Sequence, residues 1–116
     1  PYLMQIKNQE FQAIFAMIDE TLRIIETNGW CRAEDVCPEN PQLDLQAALL
    51  AVDLGATIRG LPAEIAYVKT RNLFNSVLEP SNINKFNDKP NNTKENVIAF
   101  IKFVRNKLEQ VGCVSE

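Results

Sequence analysis

The sequence predicts an all-α fold, a compact bundle of four main helices in one domain over residues 1–116. Three observations predict it. Four segments carry apolar residues at spacings of three and four, the period of a helix buried on one face. Glycine and proline clusters separate them. No alternating apolar and polar run is long enough to make a strand.

The first helix is expected over Asn8–Thr27, with Phe11, Ile14, Phe15, Ile18, Leu22 and Ile25 on its inner stripe. Asn28-Gly29 ends it, since glycine accepts the left-handed conformation common just past a helix. Trp30 follows at once and is expected to be largely buried against that helix, anchoring the loop after it. Pro38 and Pro41 keep residues 31–42 from forming a helix, and Glu34, Asp35 and Glu39 keep them wet. The second helix is expected from Leu43 to Leu54, stopping at Gly55, with alanine and leucine on most sides and hence buried.

Gly60-Leu61-Pro62 breaks the chain again. Pro62 suits the first position of a third helix, which continues to Leu78 with Ile65, Val68, Leu73, Phe74, Val77 and Leu78 inward, and Pro80 closes it. Ser81–Phe86 is a candidate for one further short helical turn. Residues 87–92 are dense in turn formers, and Thr93 is a good N-cap for a last helix. That helix turns Val97, Ile98, Ile101, Val104 and Leu108 inward and ends at Gly112.

Composition narrows the chemistry. The chain has 116 residues, 46% hydrophobic and 23% charged, with a net charge of −3. It has no histidine, which removes histidine triads, histidine metal sites and histidine general bases. Cys31, Cys37 and Cys113 are odd in number and poorly spaced for zinc or for a disulfide framework. No metal or cofactor is therefore expected, and reduced thiols point to the cytoplasm. No apolar run spans a bilayer, and Pro1-Tyr2-Leu3-Met4-Gln5 does not read as a signal peptide. Charge is uneven. Residues 1–60 hold four basic side chains (Lys7, Arg23, Arg32, Arg59) against nine acidic ones, whereas residues 81–116 hold six basic against four acidic. An acidic total argues against nonspecific nucleic-acid binding.

Two segments carry a resemblance: a helix ending in Asn28-Gly29-Trp30-Cys31, and Phe86-Asn87-Asp88-Lys89-Pro90-Asn91-Asn92-Thr93 before the last helix. With Ala47-Ala48-Leu49-Leu50-Ala51 between them, the chain resembles a family of small uncharacterised bacterial and phage helical proteins. Members show Gly-Trp-Cys or Gly-Trp-Thr after the first helix and Trp-Asn-Asp-x-Pro-Gly-Arg-Thr before the last. Here Phe86 stands where the family has tryptophan, and Asn91-Asn92 where it has Gly-Arg. The resemblance implies a fold and no activity.

Candidate sites are weighed against plainer readings. Cys31 as a nucleophile needs a base or cation, and Arg32 is the one cation close in sequence; a small buried hydrophobe is the commoner role. Glu34, Asp35 and Glu39 lack the spacing of a calcium loop. Asp19, Glu20 and Asp53 are candidates for an acid–base pair, but Asp19 and Glu20 point apart on a helix and the set reads as surface charges. Lys94, Lys102 and Arg105 share a stripe with Ile98 and Glu109, which reads as a solvated face. In the last turn, Asn87 is expected to bond the Lys89 N–H, and Asp88 to cap the last helix or meet a partner.

The leading functional reading is a non-catalytic protein–protein interaction or regulatory module, contacting another protein or itself. The alternative is a small-ligand binder or enzyme with its site around Trp30, Cys31, Asn87 and Asp88. Nucleic-acid binding through the C-terminal basic residues is weaker. A deep pocket lined by Trp30 and Asp88 would favour the second reading, and an exposed apolar patch without a pocket the first.

Overall fold

The computed structural model describes residues 8–52 and 57–115. In chain order these are α1 (Asn8–Asn28), a 3₁₀ turn (Ala33–Asp35), α2 (Leu45–Leu50), β1 (Thr57–Ile58), β2 (Leu61–Pro62), α3 (Ala63–Leu78), α4 (Ile83–Asn87) and α5 (Lys94–Ser115). The architecture is mostly helical, as the periodicity predicts, with α1 packed chiefly against α5 and α3.

The long helices form where the apolar stripes are cleanest. α1 buries Phe11, Ile14, Ile18 and Ile25 as expected, and Ala13, Met17 and Ile24 widen the stripe, while Phe15 and Leu22 sit half-buried at its edge. α5 buries Val97, Ile101, Val104 and Leu108 and adds Phe100. Its start is fixed as the sequence predicts, with Thr93 Oγ1 accepting the Asn96 N–H at 3.1 Å. It runs through Gly112 to Ser115 instead of ending there. One glycine costs a helix about 1 kcal/mol, and no proline follows to stop it.

Three expectations are corrected. A small sheet is present: β1 and β2 pair antiparallel, Thr57 opposite Pro62 and Ile58 opposite Leu61. The two-residue connection has φ of 52° at Arg59 and 93° at Gly60, the geometry of a tight hairpin turn. Strands of two residues are too short for alternation to reveal. The second helix is shorter than expected and one-sided, burying Leu45, Ala48 and Leu49 while Leu50 is 61% exposed. Its N-cap is Asp44, whose Oδ1 accepts the Ala47 N–H at 2.7 Å; the expected stop at Gly55 lies outside the described residues. In the third helix the inner face is Ala66, Thr70, Leu73 and Phe74, with Ile65 and Val68 exposed. Leu73 and Phe74 face inward as expected, and Val77 and Leu78 pack half-buried against the core; the difference is confined to the first two turns, where the small Ala66 and Thr70 take the inner positions.

Between α3 and α5, the short helical turn expected at Ser81–Phe86 is α4. Asn82 caps it through the Lys85 N–H at 2.9 Å, and Asn75 Oδ1 on α3 accepts the Ile83 N–H at 2.9 Å. Phe74, Phe100 and Phe86 then form a ring chain, with centroids 5.4 Å apart for the first pair and 4.8 Å for the second. This brings the 86–93 turn onto the core.

The inner face of α3 makes a paired prediction. Phe74→Ala should cost about 3–5 kcal/mol, as large aromatic truncations in a packed core do. Ile65→Ala should stay within about 0.5 kcal/mol, as exposed substitutions do. Urea unfolding of both variants checks it; similar costs at the two positions would refute the observed face.

Candidate functional site

The loop after α1 and the turn before α5 are far apart in sequence and joined in space. Gly29 makes the first reversal, with φ of 94°. A Cβ there would lie 3.0 Å from Gln42 Cγ, so both the backbone and the neighbour select glycine. The Leu43 N–H then donates to Gly29 O at 3.3 Å and the Cys31 N–H to Leu43 O at 3.1 Å. Residues 31–42 thus close into a compact loop whose ends touch. Inside it, Asn40 Nδ2 donates to Asp35 O at 3.0 Å, and the Gln42 N–H donates to Asn40 Oδ1 at 3.1 Å.

Asn87 joins that loop to the rest. It is 1% exposed. Its Oδ1 accepts the Trp30 indole N–H at 2.6 Å and the Leu45 backbone N–H at 3.0 Å. Its Nδ2 donates to Cys31 O at 3.3 Å and to Asp88 Oδ1 at 3.0 Å. A carboxamide has two acceptor lone pairs and two donor hydrogens, so every one is used. The expected local bond from Asn87 to the Lys89 N–H is not made; that N–H donates to Phe86 O at 3.3 Å instead. A buried amide serves better where it satisfies the first N–H of α2, which no helix can satisfy internally.

Asp88 also differs from expectation. It does not cap α5. Its Oδ1 accepts the Ala33 N–H at 3.0 Å, at the start of the 3₁₀ turn. That bond, the Asn87 amide and the nearby Arg32 charge hold its carboxyl below its ordinary value. Arg32 completes the junction. Its Nη1 donates to Asp88 O at 2.8 Å and Lys89 O at 3.0 Å, and its Nη2 to Pro90 O at 2.8 Å. These carbonyls follow α4 directly, so the guanidinium answers its C-terminal end. The guanidinium also lies 5.9 Å from the centre of the Trp30 ring system. Trp30 itself is partly exposed but packs against the core cluster, with its indole N–H turned in to the buried Asn87.

The four candidate residues Trp30, Cys31, Asn87 and Asp88 therefore converge. The arrangement brings together little reactive chemistry. Cys31 is buried, and burial, with Asp44 and Asp35 nearby, pushes its thiol pKa up, away from a thiolate at neutral pH. Arg32, the cation close to it in sequence, is spent on three carbonyls. Cys37 is exposed and unpaired, and the Cys113 side chain lies outside the described residues. Among the described residues no cluster of histidine, cysteine, aspartate or glutamate could hold a metal ion. Asp19 and Glu20 are engaged with Arg105 (2.6 Å) and Arg23, and Asp53 lies outside the described residues.

Sequence reasoning missed Arg32 as a junction residue and Asn92 as a second staple of the turn. Asn92 is buried, its Nδ2 donating to Phe86 O at 2.8 Å and its Oδ1 accepting the Thr93 N–H at 3.0 Å. Two of the open depressions are lined by described residues other than Trp30 and Asp88. One lies between α1 and the hairpin, where Arg23 is already paired with Glu20. The other lies between the 86–93 turn and α5, floored by aromatic rings.

With this geometry in view, the model of DUF6197, a family of unknown function, matches residues 12–106. No curated protein matches the chain, and no solved structure does. No helix among the described residues is long and apolar enough to cross a membrane.

Two predictions follow from the junction. Asn87→Ala should orphan the Trp30 and Leu45 donors at about 1–3 kcal/mol for each left unpaired. Chemical unfolding should show the loss and tryptophan emission should shift red; an unchanged midpoint would remove Asn87 from its central place. Asp88→Asn keeps an acceptor but loses the charge, at a cost of roughly 0.5–1 kcal/mol at neutral pH, held down by exposure. A depressed carboxyl stabilises the fold above its ordinary pKa and loses that contribution as pH falls through the lowered value. The gap between wild type and variant should therefore be full at neutral pH and close below about pH 3.8. Thermal melts across that range check it, and a gap that persists into strong acid would contradict it.

Proposed function

The chain belongs to DUF6197, a family of unknown function, and from that premise we propose a non-catalytic interaction module working through contacts with another protein or with itself. Residues 1–116 act as one helical domain in this reading. The observation that carries it is the saturation of the Trp30–Asn87–Asp88 junction. Each hydrogen-bonding position of Asn87 has a partner inside the fold. A ligand site keeps such groups available, and an enzyme tunes a nucleophile or base toward neutral pH. Here the one thiol at the junction is shifted the other way.

What remains available is surface. Phe103, Leu50, Ile65 and Val68 are exposed apolar side chains, and partners commonly cover such groups. The resemblance of the Gly29-Trp30-Cys31 and Phe86–Thr93 segments to bacterial and phage proteins supports an accessory or regulatory role of that origin. Unpaired Cys31 and Cys37 favour a reducing compartment such as the cytoplasm.

The test is made in extract and on the purified protein. Tagged chain at native abundance should run in a complex larger than its own 13.1 kDa mass. A thermal-shift screen of metabolites and cofactors should give no saturable stabilisation that depends on Asp88. Monomer mass in extract, together with a small molecule whose stabilising effect is lost in Asp88→Asn, would replace this reading with the ligand-site alternative.

A further inference from the structure

The depression beside α5 has a composition that the junction lacks. Its floor is aromatic. Phe86 and Phe100 stack tilted at 4.8 Å, and Phe103, 49% exposed, forms the open wall with Ala99. Its rim is amide and cationic. The exposed Asn91 and Asn96 side chains make no hydrogen bond among the described residues, and Lys89 closes one end. Lys107 continues the Asn96–Ala99–Phe103 stripe of α5, with its Nζ 5.0 Å from the Phe103 ring centre. No carboxylate lines the depression.

The stretch from Lys85 to Glu109 is more basic than the chain as a whole. Lys89 at the groove and Lys107 beside Phe103 make no ion pair among the described residues. Of the described carboxylates in the same stretch, Asp88 is spent on the Ala33 N–H and Glu109 on Arg105, leaving Glu95. The groove therefore calls for an occupant with an apolar side chain set among carboxylates.

The chain carries such a segment itself. In the 31–42 loop, Glu34, Asp35 and Glu39 are exposed and make no ion pair among the described residues, and Val36 stands exposed among them. Arg32, at the base of that loop, grips the carbonyls of residues 88–90, while Lys89 borders the groove. The acidic loop is thus tied through Arg32 to the same turn that carries Lys89 of the groove. Neighbouring complementary patches suit a two-fold axis, across which each copy's loop meets the other's groove.

We propose that the occupant is a second copy of this chain, its acidic 33–39 segment seated in the Phe86–Phe103 groove and its own groove receiving the same segment in return. This rests on the interaction-module reading and names the partner. Val36 meets the Phe103 wall, and Glu34 and Glu39 face the lysines at the groove's ends. A single-stranded nucleic acid fits less well. The chain is acidic overall, and one lysine, Lys89, lines the depression.

Analytical ultracentrifugation of the full chain tests this. Wild type should show a concentration-dependent dimer that weakens as salt rises. Phe103→Asp should weaken dimerisation by roughly thirtyfold or more, as loss of a central aromatic contact does. The decisive pair is a charge swap. Lys89→Glu/Lys107→Glu and Glu34→Lys/Glu39→Lys should each be monomeric alone, since like charges then face each other, and should form a heterodimer when mixed. All these side chains lie outside the junction, and thermal midpoints confirm that each variant folds. A wild type that stays monomeric at every concentration overturns the proposal. So does a dimer indifferent to these substitutions, or a swapped pair that fails to associate. Oligothymidylate binding that is lost in Phe103→Asp would assign the groove to nucleic acid instead. A monomeric purified chain that still runs in a larger complex in extract would sink self-association alone and leave the interaction-module reading in place.

Discussion

The fold turns on one side-chain amide. Asn87 stands at the end of α4 and bonds Trp30 after α1, Cys31 in the loop, and the first residue of α2. Those groups would otherwise be orphaned in or near the interior, and each orphan costs on the order of a net hydrogen bond or more. The apolar stripes of α1, α3 and α5 can assemble without it, because burial is non-directional. They do not say where a twelve-residue loop and a six-residue helix should lie. A saturated amide does, because only one arrangement satisfies its four positions at once.

That saturation separates folding chemistry from functional chemistry. Trp30, Cys31, Asn87 and Asp88 have the residue types of a site and the partners of a scaffold. Arg32 makes the point sharply. A guanidinium beside a cysteine could lower its pKa, but here three carbonyls take the cation, and the thiol is buried near Asp44 and Asp35. The arginine's work is mechanical: it holds the loop to the turn. On the proposed reading, function is left to surfaces that the junction positions but does not form.

Legibility in the sequence followed the range of the interaction. α1, α5 and the Thr93 cap could be read because their signals lie within one helix or one turn. The hairpin could not, since two-residue strands have no period. Leu73, Phe74, Val77 and Leu78 mark the face of α3, but Ile65 and Val68 widen its apolar arc, and hydrophobicity alone does not say which part of a wide arc faces inward. Trp30, Cys31, Asn87 and Asp88 could be singled out as unusual turn residues, but not their partners, which lie up to 57 residues away. Asn87 was expected to bond locally because local bonds are all that a sequence displays. The groove left one faint signal, Phe103 and Lys107 four apart on the stripe that also carries Asn96 and Ala99. It went unread because an exposed aromatic on a charged helix has no fixed meaning until the 86–93 turn is folded beside it.

The junction and the groove share that turn, and this couples them. Phe86 belongs to both: its ring packs on Phe100 in the groove floor, and its carbonyl takes the Asn92 amide that shapes the turn. Arg32 ties the acidic loop to the same turn from the other side. The two halves of the proposed self-complementary surface would therefore be held at a fixed separation by the bonds that complete the fold. An interface of this kind binds the native state alone, so association adds to the stability of the junction by mass action, and a loosened junction weakens association in return. An internal scaffold with no free valence is then no waste of polar residues. It gives a small helical protein two opposite charges at a spacing that does not drift, and a fixed spacing lowers the ordering cost of binding.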